Sequence, residues 1–297
     1  MNITVHGLSF EKEFAPFLEQ LIVLLQSRRA SIFLSPMFHK ALQKLKVNVS
    51  GYQVISSSQE LSGMDFVISV GGDGTLLDTV SYVGALEIPM IGINTGRMGF
   101  LATIAKEDIE KAIDVLFSKQ YTIEDRTLIS LDTDLKLDKS MRLFGGTAFG
   151  LNEFTIHKRD TSSMITVHTY IDGEYLNSYW ADGLIVSTPT GSTGYSLSCG
   201  GPLISPASKN FVITPVSPHN LNVRPIVVPD DSVISFKIEG RSEKFLISLD
   251  SRSTAVDASV QLTVRREKFV AKLVKFYDYS FFDTLRQKLN WGYDMRN

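Results

Sequence analysis

Residues 70–75, VGGDGT, combine three glycines with one carboxylate and one hydroxyl directly after a run of strand-forming residues. Glycine permits positive φ angles and lets a ligand approach the backbone closely. Exposed amides at the start of a helix favour anions. The segment therefore predicts a phosphate-binding turn at Gly72, Gly74 and Thr75, with the carboxylate of Asp73 beside it. The alternative is that Asp73 or Thr75 only caps the following helix.

The second candidate segment is residues 181–202, ADGLIVSTPTGSTGYSLSCGGP, which places five glycines around one short strand. Asp182 offers a carboxylate, and the ring of Tyr195 could pack on a base or a sugar. Because no G-x-S-x-G elbow is present, we do not expect Ser192 to be a hydrolase nucleophile. The alternative is a tightly wound structural turn. Short hydroxyl side chains in this segment stand at Thr188, Thr190, Ser192, Thr193, Ser196 and Ser198.

Two shorter segments carry weaker signals. Asn152 and Glu153 together could bind a ribose diol, although such a pair usually marks a turn. His219 lies in the proline-punctuated stretch 214–229, which reads as an irregular connection, and it is either a ligand contact or a structural histidine. The five histidines lack metal-binding spacing and one cysteine cannot build a zinc site, so no metal held by protein side chains is predicted.

The elements that must position these residues change character along the chain. Up to about residue 120, strands alternate with helices, which predicts a doubly wound α/β domain with a mostly parallel sheet over residues 1–125. Ser35 and Pro36 should cap and start one of the helices. The predicted strands are 3–5, 31–34, 65–70 and 88–94, and the predicted helices are 11–28, 36–45, 76–83 and 106–117.

After residue 121 the pattern becomes an alternation of apolar and polar residues, which is typical of half-buried strands. A β-rich second domain is expected over residues 126–275. The C-terminal segment 276–297 should form a helix near 281–289 and pack back on the first domain. The strands predicted for the second domain are 127–137, 141–149, 164–171, 184–187, 211–214, 232–238, 245–249, 260–264 and 269–274.

Composition limits the function. The chain has 297 residues, 43% of them hydrophobic, and a net charge of −2, which disfavours nucleic acid as the main partner. A single cysteine, Cys199, fits a reducing compartment. Neither a signal-peptide pattern nor a long apolar segment is evident. These features predict a soluble cytoplasmic protein without a nucleic-acid or membrane partner.

Taken in order, several segments together resemble the bacterial NAD kinase family over roughly residues 66–291. GGDG alone is shared with lipid kinases and phosphofructokinases, whereas the long block 182–202 is specific. The matching segments are GGDGTLL, GINTGRMGFLA, NE, DGLIVSTPTGSTGYSLSCGGP, TPVSPHNLNVRP and DYSFFDTLRQKLNW.

The resemblance implies transfer of a phosphoryl group from ATP to the 2′-hydroxyl of the adenosine ribose of NAD. It implies that Asp73 is catalytic, that Gly74 contacts substrate and that Asn152 and Glu153 bind the NAD ribose. It places Asp182 on the nicotinamide side. The residues implied around the dinucleotide are Thr193, Gly194, Tyr195, Ser196, Leu197 and Ser198, with Tyr195 and Ser198 in the adenosine region.

Two positions differ from the usual family pattern, in which alanine stands at Gly194 and glutamine at Arg252. Arg252 and His219 are weaker candidates for contacts with the nucleotide. The resemblance also implies Mg²⁺, or another divalent cation, bound with ATP, no tightly bound cofactor, and a homo-oligomer, commonly a homotetramer.

Two other functions are compatible with these residues. A lipid kinase could use GGDGT on a hydroxyl of diacylglycerol or a sphingoid base, and it should then carry an apolar cleft or a basic amphipathic stretch. A non-catalytic NAD(H)-sensing module would bind the dinucleotide without forming NADP.

Overall fold

The computed structural model describes residues 1–96, 99–134, 143–159, 163–277 and 280–292. The chain divides into two compact units. The first contains Met1–Asp125 and the segment that starts at Ala271, and the second is Arg126–Val270. Within the described ranges, no helix has the length and apolar character required to cross a membrane.

The elements are numbered along the chain. The strands are β1 (Asn2–His6), β2 (Ser31–Leu34), β3 (Gln53–Val54), β4 (Phe66–Val70), β5 (Met90–Asn94), β6 (Ile104–Ala105), β7 (Tyr121–Arg126), β8 (Ile129–Thr133), β9 (Phe149–Gly150), β10 (Glu153–His157), β11 (Ile165–Ile171), β12 (Glu174–Ala181), β13 (Gly183–Ser187), β14 (Asn210–Val216), β15 (Ile226–Pro229), β16 (Ile234–Glu239), β17 (Lys244–Leu249), β18 (Arg252–Asp257), β19 (Leu262–Arg266) and β20 (Ala271–Phe276). The helices are α1 (Ala15–Ser27), α2 (Pro36–Lys44), α3 (Ser58–Leu61), α4 (Asp73–Val83), α5 (Ile109–Phe117), α6 (Tyr195–Ser198) and α7 (Phe281–Leu289).

The first unit is built on a mostly parallel sheet with the order β3-β2-β1-β4-β5-β20-β7, and β6 also pairs with β5. The strands β1, β2, β4 and β5 pair in parallel, as the alternation with helices predicts. Strand β4 is buried along its whole length, in agreement with its continuous apolar sequence. The hydroxyl of Ser35 accepts a hydrogen bond from the Phe38 amide at 3.2 Å, which confirms the predicted cap of α2. The predicted α/β fold of this part of the chain is therefore confirmed.

The second unit contains two antiparallel sheets, β15-β14-β13-β10-β17-β18 and β12-β11-β16-β19-β8-β9. One apolar core contains residues from both sheets, because alternate residues of each strand are apolar. Strand β10 lies between β13 and β17, with Glu153 opposite Ser187 and His157 opposite Gly183. This confirms the β-rich character expected for the second half of the chain. Core residues contributed by the two sheets include Phe154, Ile156, Phe211, Ile247, Val167, Ile234, Phe236 and Val264.

Two predicted strands of the second half differ in the structure. Residues 141 and 142 lie outside the described residues, and Leu143–Gly146 is a 3₁₀ turn in which Phe144 and Gly145 have φ angles of 53° and 66°. Among the described residues, the strand predicted over 141–149 is therefore wrong for residues 143–148, because an adjacent pair of glycines permits this turn. The strand predicted at 269–274 is β20, and it pairs with β5 in the sheet of the first unit rather than within the second. An alternating pattern identifies a strand but does not say which sheet it joins.

The strands that the predictions missed include the short β3 and β6, β7, and three of the second half. β12 pairs with β11 through a tight turn at Asp172 and Gly173, where both φ angles are positive, and this Asp-Gly pair is a hairpin signal that was overlooked. Among the described strands β15 pairs only with β14, so it is an edge strand, and prolines are tolerated at the edge of a sheet. The polar strand β18 has the same edge position beside β17.

Candidate active site

The glycine-rich turn connects β4 to α4 and falls at the carboxyl end of a parallel strand, as predicted. Gly71 has a φ of 150°, and a Cβ there would lie 2.2 Å from Oγ1 of Thr75, so this position excludes a side chain. Gly72 is the residue before α4, and Gly72 and Gly74 are both exposed. The first turn of α4 thus presents exposed backbone at Gly72 and Gly74 at the positive end of the helix dipole, which suits a phosphate group, while the amide of Thr75 donates to the Gly72 carbonyl at 3.0 Å.

Asp73 does not cap α4, because it is the first residue of the helix and Gly72 holds the N-cap position. Instead, its carboxylate binds the backbone of the loop before β6. Oδ2 accepts from the amide of Phe100 at 2.8 Å, and Oδ1 accepts from the amides of Leu101 at 3.1 Å and Ala102 at 3.0 Å. A Cβ on Gly99 would lie 1.7 Å from Oδ1, so only glycine permits this approach. The capping interpretation is therefore wrong for Asp73.

In the second unit, the residues Asn152 and Glu153 lie at the start of β10 against the turn that follows β13. The Asn152 carbonyl accepts from the amide of Thr188 at 2.8 Å. A Cβ on Gly191 would lie 2.1 Å from that same carbonyl oxygen. Gly194 is close enough that its Cβ would lie 3.2 Å from Oε2 of Glu153. The predicted residues 152, 153 and 190–194 therefore form one local cluster.

The carboxyl group of Glu153 is unusual in two respects. Its Oε2 atom is buried and has no hydrogen-bond partner within the described part of the chain. Burial, together with the negative charge of Asp250, raises the pKa of Glu153 from 4.5 to about 8. A buried oxygen without a partner requires an explanation, and a bound ligand hydroxyl would supply one.

Asp250 follows β17 and contacts the same turn from another direction. Its carboxylate accepts from the amides of Leu151 at 2.8 Å, Asn152 at 2.7 Å and Glu153 at 3.2 Å. Burial raises the pKa of Asp250, and the three amides and the charge of Arg252 oppose that rise. Since Asp250 accepts three donors and Oε2 of Glu153 accepts none among the described groups, we assign the ionised state to Asp250 and the protonated state at neutral pH to Glu153.

Asp182 lies near the other end of β10, just before β13. Its Oδ1 is 2.6 Å from Nζ of Lys158, and both side chains are partly buried. Next to Lys158, the ring of His157 stacks on Tyr195 at 5.5 Å between centroids. Burial lowers the pKa of His157, while Asp182 acts in the opposite direction. Burial, Cys199 and Asp182 raise the pKa of Tyr195.

The remaining predicted residues are placed as follows. Ser196 is buried, and its hydroxyl lies 2.8 Å from that of Thr214, so it contributes to packing within the unit. Ser198 is exposed in α6 beside the half-buried Leu197. The exposed His219 packs its ring against Trp180 at 4.2 Å. Thr190 is buried, with its hydroxyl 3.5 Å from Nη1 of Arg126, and the half-buried Thr193 donates to the Thr190 carbonyl.

Arg252, at the start of β18, donates to the carbonyls of Thr147 at 2.6 Å and of Phe149. The guanidinium group also lies 5.8 Å from the ring centre of Phe144. These bonds order the segment that leads into the Asn152–Glu153 turn. A direct contact between Arg252 and a nucleotide stays a prediction.

Sequence reasoning missed four residues that organise the site: Gly99, Gly191, Asp250 and Lys158. The signal for Asp250 was an acidic residue directly after the buried strand FLISL. The glycines carried no distinguishing signal, because their role depends on side chains and carbonyls distant in sequence. Among the described residues, no group of three or more His, Cys, Asp or Glu side chains is arranged to hold a metal ion.

Comparison with known proteins matches both parts of the chain to one family. The ATP-NAD kinase N-terminal domain matches residues 20–121, and the ATP-NAD kinase C-terminal domain matches residues 151–276. The chain is 50% identical to an NAD kinase of Cytophaga hutchinsonii and 44% identical to one of Flavobacterium psychrophilum. Both alignments cover 100% of this chain and 100% of the relative.

Solved structures show the same fold. A yeast NADH kinase complexed with NADH superposes with a TM-score of 0.86 at 22% identity, covering 100% of this chain and 89% of the other. An NAD kinase from Archaeoglobus fulgidus in complex with ATP has a TM-score of 0.75 at 26% identity, covering 98% and 99% of the two chains. These likenesses agree with the α/β and antiparallel-sheet architecture described above.

Proposed function

The chain belongs to the NAD kinase family, and we propose that it transfers the γ-phosphoryl group of ATP to the 2′-hydroxyl of the adenosine ribose of NAD, giving NADP and ADP. The observation that carries this proposal is the full-length match to NAD kinases at 50% identity. The protein is a phosphotransferase. The family match gives no support to the lipid-kinase alternative, because the matched relatives are NAD kinases.

Asp73 is the proposed general base. A carboxylate oxygen can accept about two hydrogen bonds. Oδ1 already accepts two, from Leu101 and Ala102, whereas Oδ2 accepts one, from Phe100. The remaining capacity of Oδ2 makes it the atom that takes the proton of the 2′-hydroxyl as phosphoryl transfer proceeds. Such assistance contributes typically about 10²–10⁴-fold to the rate.

The dinucleotide is proposed to bind along β10. Asn152 and Glu153 at one end would bind the ribose hydroxyls, and the unpartnered Oε2 of Glu153 supports this assignment. Asp182, near the other end, would contact the nicotinamide side. Four residue steps along a strand span roughly 13 Å, so separate parts of an extended dinucleotide can reach the two sites. The exposed ring of Tyr195 would pack on the adenosine.

ATP is proposed to place its phosphates on the amides of the turn at Gly72 and Gly74, with the hydroxyl group of Thr75 as the predicted third contact, because the Thr75 amide already donates to the Gly72 carbonyl. Mg²⁺, or another divalent cation, would enter with ATP, bound to the phosphate oxygens and neutralising their charge. A hard divalent cation prefers oxygen ligands, which the phosphates of ATP would supply. From the family resemblance we also propose a homotetramer located in the cytoplasm.

The test is an assay for NADP formation with purified protein, ATP, MgCl₂ and NAD. Parallel reactions with diacylglycerol or a sphingoid base test the lipid-kinase alternative. Formation of NADP that depends on ATP supports the proposal. Tight binding of NAD without NADP formation would instead indicate a sensing module. Light scattering coupled to size-exclusion chromatography tests the tetramer.

A further inference from the structure

We propose that Asp250 is a positioning residue for the reaction: its carboxylate fixes the turn that carries Asn152 and Glu153 and so sets the geometry with which these side chains bind the acceptor ribose. The inference rests on the proposed function, because it takes Asn152 and Glu153 as ribose-binding residues.

The geometry that carries the inference is the bonding of one carboxylate to consecutive amides. Oδ2 of Asp250 accepts from Leu151, and Oδ1 accepts from Asn152 and Glu153, at distances of 2.7–3.2 Å. The amide of Asp250 in turn donates to the Glu153 carbonyl at 3.0 Å. Hydrogen bonds to an ionised acceptor are roughly twice as strong as neutral ones. Asp250 therefore determines the backbone conformation of the turn.

The opposite side of the turn is also fixed. The hydroxyl of Thr188 donates to the Leu151 carbonyl at 2.5 Å and accepts from the Gly191 amide at 3.1 Å. The backbone of Asn152 thus lies between Asp250 and the Thr188–Gly191 loop, with space for no side chain at Gly191. Gly150 is restricted in the same way, since a Cβ there would lie 2.9 Å from Oδ1 of Asp250. The turn is thus held from both sides, and Asp250 is the charged group on one of them.

Asp250 also acts on Glu153 through its charge. The titratable group that acts on Glu153 is Asp250, which follows β17, and Arg252, at the start of β18, acts in turn on Asp250. The negative charge of Asp250 is the electrostatic contribution that disfavours ionisation of Glu153 beyond the effect of burial. The titration of Glu153 therefore reports the presence of that charge, and the KM for NAD reports separately whether Asp250 positions the turn.

The main variant is Asp250→Asn, which keeps the size of the side chain and removes its charge. Asp257→Asn is the matched control, because Asp257 lies at the exposed end of the same hairpin and, among the described residues, its carboxylate accepts hydrogen bonds from the nearby Ser259 only. Glu153→Gln identifies the titration that belongs to Glu153. The measurements are the KM values for NAD and ATP, kcat, and a ¹³C NMR titration of the Glu153 carboxyl in the substrate-free protein.

We expect Asp250→Asn to raise the KM for NAD by about 10- to 100-fold, the effect of losing a hydrogen bond to a charged group. The KM for ATP should change by less than about twofold, which is a small change in affinity. The midpoint of the Glu153 titration should move to lower pH, and Asp257→Asn should change none of these quantities. An unchanged KM for NAD together with an unchanged midpoint would overturn the proposal.

A second measurement decides the matter if Asp250→Asn does not fold. In the wild-type protein, the amide proton resonances of Leu151, Asn152 and Glu153 should shift together as Asp250 is protonated, and the same three should shift when NAD is added. Independent behaviour of these amides would overturn the proposal. If the wild-type protein forms no NADP, the proposed function fails, whereas the substrate-free NMR titration still reports the coupling between Asp250 and Glu153.

Discussion

The substitution Asp73→Asn tests both roles that the structure gives to this side chain. The carboxylate accepts hydrogen bonds from the amides of Phe100, Leu101 and Ala102. Asparagine has one acceptor oxygen. If that oxygen replaces Oδ1, the amide nitrogen of the side chain faces the N–H of Phe100, and two donors then oppose each other. The other two bonds persist but are no longer assisted by a charge.

The expected loss follows from these bonds. A hydrogen bond to a charged group contributes about 1.5–3 kcal/mol, so the free energy of unfolding should fall by about 2–4 kcal/mol. For a domain of this size, that loss lowers Tm by about 5–15 °C. Loss of the general base should separately lower kcat by about 10²–10⁴-fold. The assay measures kcat for NADP formation at a temperature at which the variant is folded by circular dichroism.

Two further variants separate the roles. Gly99→Ala keeps the carboxylate but displaces the loop, because its Cβ would lie 1.7 Å from Oδ1 of Asp73; it should lower Tm while reducing kcat far less than Asp73→Asn. Asp78→Asn makes the same chemical change on the same helix, at a half-exposed carboxylate 2.9 Å from Nε2 of His6, and it should retain normal kcat. The reasoning is refuted if folded Asp73→Asn turns over NAD at a near-normal rate, or if Gly99→Ala reduces kcat equally.

Other predictions concern the second unit. The pKa of Glu153 is raised from 4.5 to about 8. The contribution of its protonated carboxyl to the free energy of unfolding is therefore fully present below about pH 4.5 and is lost as the pH rises through about 8. Between pH 5 and pH 9, the Tm of Glu153→Gln should therefore fall by less than that of the wild type. Gly191→Ala should abolish NAD binding measured by calorimetry, since its Cβ would lie 2.1 Å from the carbonyl oxygen of Asn152 in the facing turn. In Gly194→Ala the new Cβ would lie 3.2 Å from Oε2 of Glu153. Because that flexible side chain can move by a few tenths of an ångström, the KM for NAD should stay within about threefold of the wild-type value. Lys158→Met removes the ammonium group that lies 2.6 Å from Oδ1 of Asp182, and the free energy of unfolding should fall by less than about 1 kcal/mol. The ratio of kcat/KM for NAD to kcat/KM for NADH should rise, because the unpaired Asp182 carboxylate would favour the cationic nicotinamide ring of NAD. An unchanged ratio would argue against Asp182 as a nicotinamide contact.

Local patterns predicted those elements whose conformation depends on local sequence. The continuous apolar run before Gly71 predicted β4, and the glycine content predicted the turn after it. Ser35 and Pro36 predicted the start of α2, because a cap needs only its own helix. Each of these features depends on residues within about four positions, the range over which helix and turn signals act.

The remaining features depend on contacts between distant parts of the chain. The sheet that β20 joins is decided by its pairing with β5, some 180 residues earlier in the chain. The role of Gly191 depends on the carbonyl of Asn152, and that of Asp250 depends on amides about 100 positions away. For Asp73, the local signal left capping open as an alternative, since a carboxylate at a helix start commonly caps the helix. The structure satisfies that carboxylate with a loop that no sequence pattern connects to it.

Asp73 and Asp250 each bind three consecutive backbone amides through the carboxylate. Asp73 accepts the amides of residues 100–102, and Asp250 accepts those of residues 151–153, in each case directly after a glycine whose Cβ would collide with the carboxylate. Consecutive amides that converge on an anion form a strong, directional site. The segments GFLA and GLNE are therefore the same arrangement used twice, once in each unit. Both side chains are half-buried, and in both Oδ2 accepts a single amide, so the surroundings distinguish the two aspartates. Asp250 faces the carboxyl group of Glu153, and burial raises the pKa of Asp250, whereas Asp73 begins a helix at the exposed glycines Gly72 and Gly74. The same geometry can thus hold a positioning residue in one place and, as proposed, a proton acceptor in the other, because the groups that each carboxylate faces decide which chemistry is possible.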